Sequence, residues 1–150
     1  MIRRRRSWLR RAASLAWELP QTVLGAAAFV SFLARGKIVR ARWESERVFV
    51  RIRAHGAVSL GWFVFFTPDD NPWVPVGPEN RDHEYGHALQ SRMLGPLYLP
   101  VVGVPSTMRV LYAYLHEARH GTRWGGYYDG FPESWADRLG RVDRRMRPRP

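Results

Sequence analysis

The pentad His83-Glu84-Tyr85-Gly86-His87 constrains this chain more than any other feature of it. On a helix, two histidines four residues apart lie one turn apart on one face, so the pentad asks for a helix. Both imidazoles then reach one metal ion, while Glu84, next in sequence, points at the remaining sites of that metal. Composition narrows the ligand chemistry. The 150 residues include no cysteine, which excludes a disulfide framework, a cysteine-ligated zinc finger and a thiol nucleophile. Any metal site must use histidine and carboxylate. With 45% hydrophobic and 25% charged residues, the chain can bury a core, and its length suits one compact domain rather than two.

A catalytic zinc site needs a third protein ligand and an open fourth position. Glu133-Ser134-Trp135-Ala136-Asp137 places two carboxylates four residues apart on a helix expected over 132–139, so both face one way. In this reading Glu133 coordinates, and Asp137 accepts the outer N–H of a ligand histidine and fixes its tautomer. His116-Glu117-Ala118-Arg119-His120 repeats the first pattern, but Gly121 follows at once and Arg119 adds a cation beside any metal. This second copy reads as a solvated helix end. His55, beside Gly56 in a turn, reads as a surface histidine.

The rest of the chain supplies the frame. Residues 7–34 read as helical with an interruption at Pro20, and their apolar run is too short and too broken by Glu18, Pro20 and Gln21 to span a bilayer. They suit either an amphipathic segment on an anionic surface or an ordinary core-packing helix. Period-two alternation over 37–53, with 44–46 as the turn, predicts two strands, and 58–66 a third. Pro68, Pro72, Pro75 and Pro78 make 67–80 a loop. Residues 79–94 form the helix of the pentad, and Gly95-Pro96 stops it. The apolar stretch 97–115, broken by Pro100 and Pro105, is expected as a buried hairpin or a surface-dipping segment. Residues 121–130 are an aromatic, glycine-rich loop. The expectation is an α+β fold in which a small antiparallel sheet packs on the helix carrying His83 and His87, with a second helix carrying Glu133 and Asp137. It divides into a basic helical segment (1–36), a central domain (37–140) and a basic tail (141–150).

The charge lies at the ends. Lysine and arginine total 24 against 13 acidic residues, for a net charge of +11, and Lys37 is the only lysine. Six arginines fall within the first eleven residues and six more between Arg138 and Arg149. Such ends attract any polyanion, whether acidic lipid or nucleic acid. No nucleic-acid motif lies between them, so nucleic acid is not an expected partner. Arg5-Arg6-Ser7-Trp8-Leu9-Arg10 loosely resembles a twin-arginine export signal, with Gly25-Ala26-Ala27-Ala28 as its cleavage site, but Glu18 and Pro20 interrupt the apolar stretch it requires. The expected location is cytoplasmic, with peripheral attachment at the inner face of the membrane as an extension of that reading.

His83-Glu84-x-Gly86-His87 followed by Glu133-x-x-Ala136-Asp137-Arg138-Leu139-Gly140 resembles the gluzincin metallopeptidases, whose pattern is H-E-x-x-H plus a distal E-x-x-x-D. The E-x-x-A-D-x-x-G form looks most like the prenyl-protease and heat-shock-protease branch, and the small size looks like the minigluzincins. The resemblance implies one zinc ion held by His83, His87 and Glu133, with Glu84 as general base, Asp137 behind a ligand histidine, and a peptide or protein substrate. A tyrosine or histidine that stabilises the oxyanion is also implied, with Tyr127 and Tyr128, then Tyr98 and His116, as the candidates. The run from Gly86-His87 through Gln90-Ser91 to Leu94-Gly95-Pro96-Leu97-Tyr98-Leu99 is similar to one in short uncharacterised bacterial proteins, and implies no activity. Three functions follow as expectations: a small zinc metalloendopeptidase, a non-catalytic zinc-binding domain or pseudoenzyme, and a basic protein that attaches to anionic membrane or nucleic acid.

Overall fold

The computed structural model describes residues 11–69 and 72–144. The arginines before residue 11, with the twin-arginine resemblance they carry, and the tail beyond Arg144 lie outside the described residues.

The alternation over 37–53 closes into a hairpin. Strands β1 (Ile38–Glu44) and β2 (Arg47–Ile52) pair antiparallel with Glu44 opposite Arg47. Ser45 and Glu46 join them, both at positive φ (49° and 60°), the backbone that a two-residue hairpin turn demands of both central positions. The single strand expected over 58–66 is instead a second hairpin, β3 (Val58–Leu60) and β4 (Phe63–Phe66), turned at Gly61. Gly61 has φ 58°, and a side chain there would overlap Thr22, so this turn accepts only glycine.

The sheet order is β1-β2-β4-β3, with β4 parallel to β2. The sheet is therefore mixed and not purely antiparallel as expected. The reason lies in composition: Phe63-Val64-Phe65-Phe66 has no polar side and suits a central place covered on both faces, which leaves the short β3 at the edge. One face of the sheet, with Val50, Ile52 and Phe65, is covered by Phe29 and Phe32 of α1 (Leu19–Ala34). The other, with Phe49 and Val64, is covered by Ala88 and Tyr85 of α2 (Asn80–Leu94).

Beyond α2 the expectation of a buried hairpin fails. Residues 95–120 are one helical run: a 3₁₀ turn (Gly95–Leu97), a π-helical segment (Leu99–Gly103) and α3 (Val104–His120). Each proline sits in the first turn of its segment, where the missing N–H has no partner to lose. The run is mostly exposed; Gly95, Tyr98, Val102 and Ala113 are its buried residues. The last helix, α4 (Glu133–Gly140), packs on α2. No described helix is long and apolar enough to cross a membrane.

Candidate metal centre

Helix α2 presents His83, Glu84 and His87 inward, all three buried, and α4 delivers Glu133 and Asp137 against them. The approach depends on small residues. A Cβ on Gly86 would overlap the Ala136 carbonyl, and one on Gly140 would overlap that of Asp82. The small-residue positions of both motifs thus set how closely the two helices cross.

The ligand atoms converge on one point. Glu133 Oε2 lies 3.0 Å from His83 Nε2 and 3.1 Å from His87 Nε2. The outer nitrogens are already committed: His83 Nδ1 lies 2.7 Å from Asp137 Oδ1, and His87 Nδ1 lies 2.7 Å from Gln90 Oε1. Gln90 donates its amide to the Pro132 carbonyl at 3.1 Å, so its oxygen faces His87 and must accept. In its neutral form each histidine would therefore carry its proton on Nδ1 and aim an Nε2 lone pair at a carboxylate oxygen. Three electron-rich atoms facing one another in a dry interior need positive charge among them. Among the described residues, His83, His87 and Glu133 are the one group of three that can hold a metal ion. Two imidazole nitrogens and a carboxylate fit zinc, and the paired outer N–H groups are the support such ligands require.

The electrostatics carry the same signature. Burial alone would lower the His83 pKa, but hydrogen bonds to Asp137 and Glu133 outweigh it and push it up to about 9. Burial would raise Glu133, yet the two histidines hold its carboxyl well below the usual carboxylate range. These opposite shifts describe one attraction, which draws a cation to the point between the side chains. Asp137, which burial also pushes up, is held low by His83 and by Arg144. Arg144 binds it through two contacts, at 2.5 and 2.9 Å.

Glu84 stands apart from this cluster of partners. Burial raises its pKa against the opposing effect of the two histidines, and its Oε2 has no hydrogen-bond partner among the described residues. It lines a cavity of about 60 Å³ together with His83, His87, Glu133, Ser106 and Tyr127. A neighbouring cavity of about 100 Å³, also lined by Glu84 and Tyr127, extends to Trp73 and Val74. Edge strand β3 runs beside the first cavity through Val58 and Ser59.

The tyrosines separate by their partners. Tyr128 donates to the Pro75 carbonyl at 3.1 Å, with its ring edge-on to His83 and its face under the Arg144 guanidinium. Tyr98 donates to the Ser59 carbonyl at 2.9 Å. Tyr127 lines both cavities and meets Ser106, and Ser106 donates to Glu133 Oε1 at 2.6 Å. His116 bonds the Thr122 carbonyl near the end of α3, His120 beyond it is exposed, and His55 is exposed in a bend; neither cavity includes any of them.

Three contributors escaped the sequence reading. Gln90 lies three residues beyond His87 on the same helix, a spacing that was open to inspection. Ser106 and Arg144 reach the site from other elements, and no local pattern points to them. No family model, no curated protein and no solved structure matches this chain.

Proposed function

We propose that the chain is a zinc-dependent hydrolase, a small metalloendopeptidase in which His83, His87 and Glu133 hold the ion and Glu84 is the general base. One observation carries the reading: two Nε2 atoms and Glu133 Oε2 converge while both Nδ1 atoms are engaged elsewhere. When bound, zinc supplies the Lewis acidity that makes water acidic near neutral pH and polarises a carbonyl. The chain's own residues do the rest. Asp137 and Gln90 lock the tautomers, and Ser106 steers Glu133. The unpartnered Glu84 Oε2 takes a proton from the attacking water and returns it to the leaving amine, a role suited to a carboxyl whose pKa burial has raised. Tyr127, the tyrosine shared by both cavities, donates its hydroxyl to the oxygen on which charge develops. The edge of β3 is the nearest backbone against which an extended peptide can lie.

Elemental analysis of the purified protein beside His87→Ala tests the site, and peptide cleavage by Glu84→Gln tests the chemistry. The expected result is about one zinc per chain, lost with His87. Glu84→Gln is expected to keep the metal and to lose roughly 10²-fold or more in turnover. No zinc in folded, metal-reconstituted protein sinks the reading. Zinc without cleavage in the parent chain leaves a metal-binding domain that does no hydrolysis.

A further inference from the structure

Two helices of this protein carry large apolar side chains on their outward sides as well: α1 packs Phe29 and Phe32 on the sheet, yet other apolar residues of it face away from the core. The buried residues of α1 are Gln21, Thr22 and Gly25, together with Glu18 just before it. Its outward residues include Val23, Val30 and Leu33, with Val30 63% exposed. Helix α3 buries Ala113 in the core and is likewise apolar on its outward side. Its inner side turns Ser106 to Glu133 and Arg109 to the carbonyls of Gly126 and Tyr127. Its outer side carries Val104, Met108 and Leu111 at helical spacing, with Met108 64% exposed. A helix in water keeps its apolar stripe inward, and exposed apolar area on this scale marks an interaction surface.

The two helices are linked at the start of the 95–120 run. Gln21 donates to the Gly95 carbonyl at 2.9 Å, and the half-exposed Trp17 lies against Gly95 and donates to the Arg92 carbonyl at 3.1 Å. Trp17 therefore sits at the seam between the start of α1 and the start of the 95–120 run.

We propose that these outward faces form one surface that seats in the interfacial layer of an anionic lipid bilayer. Charge decides between lipid and a second copy of the chain. Six arginines precede α1 within eleven residues, and exposed Arg35 and Lys37 follow it. Anionic headgroups attract that basic flank, whereas a second chain of charge +11 repels it. Polarity decides between lying and crossing: no described helix is long and apolar enough to cross a membrane, and α1 keeps Gln21 and Thr22, with Glu18 before it, buried in the protein. Since α3 turns Ser106 inward to Glu133, the metal cluster would sit about one helix diameter, ~10 Å, from the lipid.

The full chain is mixed with vesicles of phosphatidylcholine, with and without phosphatidylglycerol, and bound protein is measured by co-sedimentation at low and high salt. Binding to the anionic vesicles is expected, weaker in salt but not abolished, because apolar burial resists screening. Leu33→Asp combined with Leu111→Asp should lower partitioning at least about tenfold. Thermal unfolding checks that this variant folds, and Leu33→Ser with Leu111→Ser replaces it if it does not. Absent binding, or binding that the substitutions leave unchanged, overturns the proposal. So does a stable dimer in solution that the substitutions dissociate, since the face is then covered by a second copy. None of these readouts depends on metal or turnover, so this proposal and the hydrolase reading fail separately.

Discussion

Asp137 has two partners whose demands agree: it accepts from His83 Nδ1 and is gripped by Arg144. An amide at this position keeps the shape and loses the charge that makes His83 a basic ligand. Asp137→Asn is therefore expected to weaken zinc affinity by about 10–100-fold, measured by competition with a chromophoric chelator. Gly86 gives a sharper test of geometry. Gly86→Ala forces the new methyl group into the Ala136 carbonyl, so α4 must move away from α2. The expected cost is about 1–3 kcal/mol or more in unfolding free energy, with zinc content falling alongside because Glu133 and Asp137 ride on α4. Unfolding in denaturant and metal analysis of the same preparation check both.

At the scale of elements, α1 is tied to the rest of the protein by a buried polar cluster. Arg47 of β2, 2% exposed, meets fully buried Glu18 at 3.0 Å, and Ser91 of α2 donates to the same carboxylate at 2.7 Å. Arg47 also donates to the Ala88 carbonyl. Removal of one charge strands the other in a dry interior. Arg47→Ala is thus expected to destabilise the fold by about 3–5 kcal/mol, and Glu18→Leu combined with Arg47→Met to recover much of that loss. Urea unfolding of the three proteins decides it. A double variant no more stable than Arg47→Ala would mean that the cost is lost packing, not a stranded charge.

At the scale of the whole molecule, the metal cluster couples stability to pH. The folded pKa of His83 is about 9, above its ordinary value of about 6.5. In the metal-free chain its contribution to stability is therefore fully present below about pH 6.5 and is lost as pH rises through 9. Glu84 acts in the same direction, because burial disfavours its charged form and ionisation at rising pH destabilises the fold. Glu133 acts on the acid side: its lowered pKa adds stability above the ordinary carboxylate range that is lost as pH falls. A zinc ion held as proposed would compete with the proton at His83, so its affinity is expected to climb as pH rises toward about 9. The expected outcome is a melting temperature that falls across this window in chelator and changes far less in zinc, read by thermal unfolding with and without chelator.

What the amino-acid order determined by itself was local. The spacing of His83 and His87, and of Glu133 and Asp137, is a property of any helix, and the helices at 80–94 and 133–140 lie within one residue of expectation. The alternation over 37–53 and the loop at 67–80 were legible for the same reason, since period and breakers act within a few residues. Only tertiary structure decided what depends on partners distant in the chain. The parallel pairing of β2 with β4 follows from covering β4 on both faces, which periodicity within 58–66 cannot express. The helical path through Pro100 and Pro105 emerged only once each proline fell in a first turn. Ser106 and Arg144 gained their roles from contact with Glu133 and Asp137, 27 and 7 residues away. The sidedness of α1 and α3 also arose there, because an apolar residue carries no label for the face it will take. That assignment is made by which of its neighbours, here Gln21, Ser106 and Arg109, find hydrogen-bond partners inside.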